Sequence, residues 1–490
     1  MEKLDRLLER LDYAVVQGKT DLDITGIAYD SRKVAKGCLF VCIKGAVSDG
    51  HAYAADAAEK GAAALLVQED VSVPDSATVL KVPDTRYGLA LASAAWFGHP
   101  AERLKVIGVT GTKGKTTTTY MVKSILEQAG YQVGLIGTIE AIIGSKSIPA
   151  NNTTPESYLV QEYFHQMAEA GCQCVVMEVS SQGLMMHRTA GFTFDIGIFT
   201  NLEPDHIGPN EHASFEEYLA CKAKLFRQCR IGIANRDDAH WAQVLEGHTC
   251  ELETFGLSPE ADLRAEGLHL VKKLGYLGVS YTAKGLVDME VEIDVPGKFS
   301  VYNSLTAIAI CRHFKVTEEN MKQALKAAKV KGRIEMVPVS SEFTLMIDYA
   351  HNAMSLESLL KTLKEYEPKR LVCLFGCGGN RSRLRRYEMG EVSGRLADLT
   401  VITSDNPRFE EPQAIIDDIK EGMAKTDGQY VEIIGRKEAI KYVISHGQPG
   451  DIIVLAGKGH EDYQEIKGKK YPMDERVLIQ EVLKELAQEK

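Results

Sequence analysis

The sequence GVTGTKGKTTTT at positions 108–119 constrains the fold of this chain more than any other segment. The run before it, 104–109, has the length and the Val and Ile content of a buried strand. The run after it, 120–129, repeats apolar side chains at helical spacing and is followed by a glycine that would end a helix. A Gly-rich turn between a strand and a helix presents backbone N–H groups to an anion. The segment therefore predicts a phosphate-binding loop in an α/β domain.

Two side chains of this loop suit a nucleoside triphosphate. Lys115 adds a positive charge, and the Thr116 hydroxyl can reach Mg²⁺. The strict G-x-x-x-x-G-K-T pattern is not met, because Val109 stands where its first glycine belongs. A Gly-rich loop that arose by chance is the alternative, and the Lys-Thr pair counts against it. We expect ATP to bind through Gly111, Thr112, Lys113, Gly114, Lys115, Thr116 and Thr117.

The length of the chain, 490 residues, exceeds one core and suggests about three domains. Sequence breaks near 98 and 330 divide it into an N-terminal domain (1–98), a central domain (99–330) and a C-terminal domain (331–490). The net charge of −11 argues against nucleic acid as the main partner. No apolar stretch approaches the ~18 residues of a membrane span, and the N-terminus lacks the apolar core of a signal peptide. We expect a cytoplasmic monomer that neither inserts into a membrane nor binds nucleic acid.

Four apolar runs in the last domain, separated by helix-length segments, predict a doubly wound α/β sheet. They occupy positions 343–349, 371–375, 399–403 and 451–455. A polar cluster follows each run, at 350–352, 376–381, 404–408 and 457–461. Ligands lie at the carboxyl ends of parallel strands in such sheets. We therefore expect the four clusters to converge on one binding site for a ligand that carries both charges.

Taken together and in order, these motifs resemble the Mur ligase family over nearly the whole chain. Besides the motifs above, the resemblance rests on residues 30–32 (DSR), 152–155 (NTTP), 177–181 (MEVSS), 201–202 (NL), 205–206 (DH), Tyr218 with Lys222, Asn303 and 332–335 (GRIE). It implies three α/β domains: a small N-terminal UDP-binding domain, a central P-loop ATPase-like domain and a C-terminal Rossmann-like domain.

The resemblance also implies a reaction. It is greatest to the type of Mur ligase that adds meso-2,6-diaminopimelate to the D-glutamate carboxylate of UDP-MurNAc-L-Ala-D-Glu in cytoplasmic peptidoglycan precursor synthesis. ATP phosphorylates that carboxylate, and the incoming amine then attacks the acyl phosphate. The reaction gathers negative charge, so we expect Lys115 and Mg²⁺ to stabilise it.

The resemblance assigns catalytic and metal-binding roles to a few residues. Lys115, Glu178, His206 and Lys222 are the expected catalytic residues. Lys222 is expected to be carbamylated, although a solvated helix lysine is the simpler interpretation and Lys224 lies nearby. A plain loop histidine is the alternative for His206. The expected Mg²⁺ ligands are Thr116, Glu178, His206 and the carbamate of Lys222.

The remaining contacts implied by the resemblance fall into three groups. The nucleotide is expected to contact Asn303, Arg333, His351 and Asn352 in addition to the loop. The UDP-MurNAc-dipeptide is expected to contact Ser31, Thr153, Thr154, Ser180, Arg188 and Lys222. Diaminopimelate is expected to contact Arg381, Asp405, Asn406, Pro407, Arg408, Gly457 and Glu461.

The acceptor preference depends on Arg408. Meso-diaminopimelate carries a second carboxylate that would pair with this guanidinium, whereas lysine would leave it unpaired. Glu461 is expected to receive the distal ammonium. A surface turn is the alternative for the Asp-Asn-Pro-Arg segment. We expect the neighbouring Arg383, Arg385 and Arg386 to be mostly solvated.

Three other functions stay open at this point. One is the L-lysine-adding form of the same enzyme. Another is a sister Mur ligase or a folylpolyglutamate synthase, against which the C-terminal clusters count. The third is a nucleotide-binding scaffold of the same fold, which would need neither Lys222 nor Glu178.

Overall fold

A computed structural model describes residues 1–45, 48–204, 207–208, 211–273 and 275–488. The chain forms two compact units: Met1–Arg264 with Leu305–Asn320, and Ala265–Ser304 with Met321–Lys490. The first unit contains the expected N-terminal domain and most of the expected central one. The bounds at 98 and 330 stay predictions.

The first sheet of the first unit has five strands. Their spatial order is Ala14–Gln17, Thr78–Lys81, Ala64–Val67, Leu39–Val41 and Ile27–Ala28. The last four are parallel, and the first is antiparallel to its neighbour. The strands Glu2–Lys3 and Asp23–Ile24 form a separate pair. The helices are Leu4–Leu7, Ala54–Glu59 and Thr85–Trp96, with 3₁₀ turns at Ser31–Lys33 and Gly50–Tyr53.

The second sheet of this unit carries the phosphate loop. Eight of its eleven strands lie wholly within this unit, in the order Lys146–Pro149, Glu140–Ile143, Val133–Ile136, Cys174–Glu178, Lys105–Thr110, Phe194–Phe199, Cys229–Asn235 and Glu251–Gly256. The strands from Val133–Ile136 to Glu251–Gly256 are parallel. The helices are Lys115–Gln128, Ser157–Glu169, Ser181–Met185, Phe215–Ala223 and Trp241–Val244, with 3₁₀ turns at Pro100–Arg103 and Lys224–Arg227. The predicted strand and helix around the phosphate loop are present, but the helix begins at Lys115 rather than near 120.

The second unit contains the predicted doubly wound sheet. Its strand order is Glu335–Val337, Thr344–Asp348, Asp451–Ala456, Arg370–Phe375, Leu399–Ile402 and Tyr430–Glu432. All neighbours are parallel except the first pair. The helices are Ala353–Lys364, Arg383–Leu396, Pro412–Met423, Arg436–Ser445 and Glu475–Gln488. The remaining strands are Leu263–Lys273, Tyr276–Gly285, Met289–Ile293, Tyr463–Ile466 and Lys469–Pro472, and the helices Lys298–Cys311 and Glu318–Ala327 complete the chain.

The cores follow from the apolar strand runs. The strands Cys174–Glu178 and Asp451–Ala456 are buried at every position, as expected for central parallel strands covered by helices on both faces. All ten cysteines are buried, and burial raises the pKa of the Cys42 thiol to about 12. Among the residues that the structure describes, no helix has both the length and the apolar character needed to cross a membrane.

Candidate active site

The phosphate loop follows the buried strand Lys105–Thr110 and leads into the helix Lys115–Gln128. Gly114 is the N-cap residue of this helix and has a φ of 85°, in the region that favours glycine. Gly111 approaches the neighbouring strand end so closely that a Cβ there would lie 1.9 Å from Thr200 Oγ1. The two glycines therefore allow the tight turn that aims the helix N-terminus at the loop.

Two residues after a neighbouring strand hold the loop in place. Thr200 Oγ1 donates to the Lys113 carbonyl at 2.8 Å. The side-chain amide of Asn201 donates through Nδ2 to the same carbonyl at 3.0 Å and accepts through Oδ1 from Lys113 N at 2.8 Å. The Lys113 ammonium pairs with Glu203 at 2.6 Å. The loop backbone is thus held by hydrogen bonds to the end of the neighbouring strand.

The Lys115 ammonium lies within the loop itself. It donates to the carbonyls of Gly111 and Thr112, at 2.8 and 3.0 Å. A cation held over these carbonyls is well placed to meet phosphate oxygens that bind the same loop. Thr117, in the first helical turn, is half-buried.

Glu178 ends the strand Cys174–Glu178 and is only 1% exposed. Its carboxylate accepts hydrogen bonds from Thr116 Oγ1 at 3.0 Å and from both the backbone N–H and the hydroxyl of Thr138, at 2.9 and 3.0 Å. These donors satisfy a buried charge that would otherwise be costly. Thr116 Oγ1 and the Glu178 carboxylate together offer the oxygen ligands that Mg²⁺ prefers.

Lys222 lies on the helix Phe215–Ala223 and is 1% exposed. Its Nζ donates to the Gly111 carbonyl at 3.0 Å and lies 4.5 Å from the centre of the Tyr218 ring. The Tyr218 hydroxyl in turn hydrogen-bonds Thr112 Oγ1 at 3.0 Å. Lys224 instead begins the 3₁₀ turn Lys224–Arg227 and is half-buried. The simpler interpretation of Lys222 as a solvated helix lysine is therefore wrong.

Four of the residues expected at the UDP-MurNAc-dipeptide surround Glu178. Thr154 Oγ1 donates to the Glu178 carbonyl and accepts from Ser180 N, both at 2.9 Å. Arg188 Nη1 donates to the Thr154 carbonyl at 3.1 Å. Thr153 Oγ1 hydrogen-bonds the Thr138 hydroxyl at 3.0 Å, and the Thr138 hydroxyl donates to the Glu178 carboxylate. These side chains are brought together although they span positions 153–188.

Two other expected residues of this unit are not part of that cluster. Ser31 begins a 3₁₀ turn capped by Asp30, and its carbonyl accepts from Lys60 at 3.2 Å. No hydrogen bond of the described residues joins Ser31 to Thr154 or Arg188. His206 lies outside the described residues.

The structure also contains site neighbours that sequence reasoning missed. Glu156 lies 2.8 Å from Arg86 and 3.7 Å from Arg188, so one carboxylate serves two guanidinium groups. The His212 ring is fully buried, contacts Ser181 Oγ at 2.8 Å and packs against Tyr218. The signal for Glu156 was its position directly after the NTTP motif.

The polar clusters of the second unit line one cavity of about 300 Å³. Its walls include His351, Gly376, Asp405 and Gly457, which follow four parallel strands, and thus one residue from each expected cluster. The sequence prediction that the clusters meet at the carboxyl edge of the sheet is confirmed by this geometry. The other expected acceptor residues in the walls are Arg381, Asn406, Arg408 and Glu461.

Opposite charges face this cavity. Arg408 Nε donates to Glu465 Oε2 at 3.0 Å. Glu461 Oε2 accepts from the Asn406 amide at 3.0 Å and from Lys458 Nζ at 2.8 Å. Lys458 is fully buried and does not line the cavity, so its ammonium contacts Glu461 from within the protein. Pro407 does not line the cavity, and its carbonyl contacts the backbone of the adjacent glycine turn.

Two of the expected nucleotide contacts in the second unit, Arg333 and His351, pack against the ring of Tyr349. The Arg333 guanidinium stacks 4.8 Å from the Tyr349 ring, and His351 and His460 pack on the same ring at 4.6 and 4.7 Å. Burial lowers the pKa of His351, and burial with Arg333 nearby lowers the pKa of His460 to about 4. Both imidazoles are therefore neutral at pH 7.

Asn352 and Asn303 have helix positions. Asn352 is the N-cap of the helix Ala353–Lys364, and its Oδ1 accepts from Ser355 N at 2.9 Å. Its side-chain oxygen thus serves the helix N-terminus, which is the usual role of asparagine at an N-cap. Asn303 is buried in the helix Lys298–Cys311.

The expectation of a mostly solvated Arg386 is wrong. This side chain is 1% exposed. It forms a bidentate pair with Glu410, with both N–O distances at 2.8 Å, and also binds Asp418 at 2.9 Å. Arg383, in contrast, remains largely exposed while it pairs with Asp418. The two carboxylates come from segments that local sequence cannot associate with the arginine.

Comparison with known proteins gives matches along most of the chain. Models described as Mur ligase family catalytic domain, Mur ligase middle domain and Mur ligase glutamate ligase domain match residues 23–99, 109–311 and 332–459. A UDP-N-acetylmuramoyl-L-alanyl-D-glutamate–2,6-diaminopimelate ligase of Clostridium perfringens is 41% identical over 487 residues, covering 98% of this chain and 99% of the relative. A ligase of the same name numbered 1, from Clostridium acetobutylicum, is 42% identical over 487 residues and covers 99% and 100%.

A solved structure of a UDP-N-acetylmuramoyl-L-alanyl-D-glutamate–2,6-diaminopimelate ligase shares the fold. It superposes with a TM-score of 0.73 at 27% identity and covers 100% of this chain and 99% of the other. The three family matches follow one another in the order of the N-terminal, central and C-terminal α/β domains. With relatives above 40% identity over nearly its full length, the chain belongs to the Mur ligase family.

Proposed function

We propose that this chain catalyses the ATP-dependent addition of meso-2,6-diaminopimelate to the D-glutamate carboxylate of UDP-MurNAc-L-Ala-D-Glu. The observation that carries the proposal is the acceptor cavity, where Arg408 and Glu461 present opposite charges beyond the carboxyl ends of the strands Leu399–Ile402 and Asp451–Ala456. The distal end of diaminopimelate carries a carboxylate and an ammonium, which match these two side chains. Lysine carries only the ammonium. Cytoplasmic peptidoglycan precursor synthesis stays the predicted setting.

The phosphate loop is proposed to hold ATP. The residues 111–117 supply backbone N–H groups, and the Lys115 ammonium supplies a charge next to the bound phosphates. The substrate carboxylate attacks the terminal phosphorus, so an acyl C–O–P linkage forms and ADP leaves. The acceptor amine then attacks the acyl carbon, an amide forms, and inorganic phosphate leaves with the amine proton transferred to solvent or a base.

The residues around Glu178 are proposed to hold Mg²⁺. Thr116 and Glu178 fit this ion, since it takes oxygen ligands and keeps several waters. When bound, Mg²⁺ would neutralise charge on the phosphates. His206 is proposed as a further ligand on the resemblance alone. The protein's own contribution is the rigid placement of Glu178 by Thr138.

Lys222 is proposed to be carbamylated. Its neutral amine would add to CO₂, a new N–C bond would form, and one proton would be released. The carbamate would then face the phosphate loop, since Lys222 Nζ lies 3.0 Å from the Gly111 carbonyl.

The other binding roles are proposals of the same kind. Ser31, Thr153, Thr154, Ser180 and Arg188 are proposed to contact the UDP-MurNAc-dipeptide. Asn303, Arg333, His351 and Asn352 are proposed to contact the nucleotide. Arg381, Asp405, Asn406, Pro407, Arg408, Gly457 and Glu461 are proposed to form the diaminopimelate site.

The test is ATP-dependent phosphate release with UDP-MurNAc-L-Ala-D-Glu, with meso-diaminopimelate or L-lysine as acceptor. We expect a strong preference for diaminopimelate in the wild type. Arg408→Ala should lower kcat/KM for diaminopimelate by about 100-fold, the order expected when a charged hydrogen-bonding partner is lost. Arg395→Ala, an exposed arginine paired with Glu357, is the control. A preference for lysine would overturn the acceptor assignment, and no release with either acceptor would favour the scaffold or a sister ligase.

A further inference from the structure

The guanidinium of Arg408 is held on two sides by groups of the protein. Nε donates to Glu465 Oε2 at 3.0 Å, and Nη1 donates to the Gly379 carbonyl at 2.7 Å. Nη2 has no hydrogen bond to any residue that the structure describes. Both side chains of the Arg408–Glu465 pair are about one-quarter exposed or less, at 21% and 25%. Nε and Nη1 are therefore held by groups of the protein, and Nη2 is left to meet a ligand.

The backbone of Arg408 is fixed as tightly as its side chain. Its φ is 52°, in a region that residues with a side chain rarely adopt. Arg408 N donates to the Glu465 carbonyl at 3.0 Å, and Lys467 N donates to the Arg408 carbonyl at 2.7 Å. The hairpin of the strands Tyr463–Ile466 and Lys469–Pro472 thus binds both the N–H and the C=O of this residue.

The hairpin itself is anchored to the acceptor loop. Glu465 N donates to Asn406 Oδ1 at 2.8 Å, and Gln464 Nε2 donates to the Asp405 carbonyl at 2.7 Å. Lys458 Nζ also donates to Asn406 Oδ1, at 3.1 Å. Glu465 is consequently held against the residues that line the cavity and is not a mobile surface carboxylate.

We propose that Glu465 is a positioning residue that sets acceptor choice by holding Arg408 with Nη2 toward the acceptor cavity. The inference rests on the proposed function, because it assumes that the distal carboxylate of diaminopimelate meets Arg408. An arginine side chain loses rotamer entropy when it is ordered. Glu465 orders the Arg408 side chain before the acceptor arrives, so acceptor binding does not carry this entropy cost.

This arrangement has a consequence that differs between the two acceptors. Diaminopimelate would use the ordered guanidinium, whereas lysine has no carboxylate at that end to reach it. Removal of Glu465 should therefore weaken the binding of diaminopimelate and leave the binding of lysine unchanged. Since Glu465 contacts neither ATP nor the reacting carbon in this assignment, kcat and the KM values of the other substrates should hold.

The experiment measures kcat and KM for diaminopimelate, L-lysine, ATP and UDP-MurNAc-L-Ala-D-Glu in wild type, Glu465→Ala and Glu465→Gln. In Glu465→Ala we expect the KM for diaminopimelate to rise about tenfold, the order of one lost charge-assisted hydrogen bond, with kcat within about twofold. Glu465→Gln keeps an acceptor for Arg408 Nε, so its KM should rise by only about threefold. Glu411→Ala is the control, since Glu411 is exposed and caps its helix without a side-chain hydrogen bond.

The outcomes separate this inference from the proposed function. An active wild type with an unchanged KM for diaminopimelate in Glu465→Ala would overturn the inference alone. An equal loss for every substrate in Glu465→Ala and Glu465→Gln would also overturn it, because that result indicates a structural role. A wild type that does not use diaminopimelate would overturn both, as Arg408 would then hold no acceptor carboxylate.

Discussion

At the residue scale, the candidate site depends on charged side chains withdrawn from water. Lys222 and Lys458 are almost completely buried, as is Glu178. A buried charge needs hydrogen-bond partners, and each of these groups has them. Such positions are therefore sensitive to small changes in a partner. They are the places where single substitutions test function most directly.

Lys222→Ala should reduce ligase activity by about 100-fold or more, because a carbamate near the phosphates would be lost. Added short-chain carboxylic acids should partly restore the rate, since their carboxylate can occupy the vacated space. Lys224→Ala, two positions along the chain, should stay within about twofold of wild type. The measurement is steady-state phosphate release with and without the acid. Full activity of Lys222→Ala would contradict the carbamate assignment.

At this scale Lys222 was named only through the resemblance to the Mur ligases, since the residues alone favoured a solvated helix lysine. The structure has this lysine buried, with Nζ 4.5 Å from the centre of the Tyr218 ring. Sequence reasoning was also wrong for Arg386, whose partners are 24 and 32 positions away. A dense basic run indicates solvation only when no distant carboxylate folds onto it.

At the element scale, two helices of the second unit approach each other through glycines. A Cβ on Gly422, in the helix Pro412–Met423, would lie 2.0 Å from the Tyr387 carbonyl oxygen. A Cβ on Gly390, in the helix Arg383–Leu396, would lie 2.2 Å from the Ile419 carbonyl oxygen. Backbone atoms cannot move aside as a flexible side chain can. The reciprocal glycines thus permit the close packing that also brings Asp418 to Arg386.

Gly422→Ala should destabilise the protein by about 1–3 kcal/mol, the usual range for added volume in a tightly packed contact. The gain in helix propensity from glycine to alanine, up to about 1 kcal/mol, offsets only part of this loss. Glu421→Ala, an exposed neighbour on the same helix, should be nearly neutral. Urea unfolding followed by circular dichroism provides the comparison. Equal midpoints for the two variants would show that the helices can separate without loss.

At the scale of the whole molecule, two partly buried groups make stability depend on pH in opposite directions. Burial raises the pKa of Asp294 from 3.8 to about 6, and Asp294 Oδ1 has no hydrogen-bond partner among the described residues. Burial lowers the pKa of His460 from 6.5 to about 4. The folded state therefore binds the Asp294 proton more tightly than the unfolded chain does, and the His460 proton less tightly.

The direction of the pKa shift of Asp294 predicts the pH at which its replacement stabilises the protein. The contribution of Asp294 to folding stability is fully present below pH 4. It is lost as the pH rises to 6, where the buried carboxylate ionises. Asp294→Asn should therefore raise Tm by about 1–2 °C at pH 7.5 and leave it unchanged near pH 4. Calorimetry across this range tests the expectation, with Glu290→Gln as the control, since Glu290 is exposed on the strand Met289–Ile293 that directly precedes Asp294. A Tm gain that does not vary with pH would contradict it.

The local elements and the order of the motifs can be read from the amino-acid sequence alone. Strand runs, the Gly-rich loop and its helix are specified by periodicity and by residues that neighbour each other, and the resemblance to the Mur ligases follows from motif order. Tertiary structure alone decided which distant groups meet. The Glu156 contact with Arg188, the Arg386 carboxylates and the Glu465 partner of Arg408 all join separate segments. Local patterns are set by short-range geometry, whereas the partner of a buried charge depends on how elements pack.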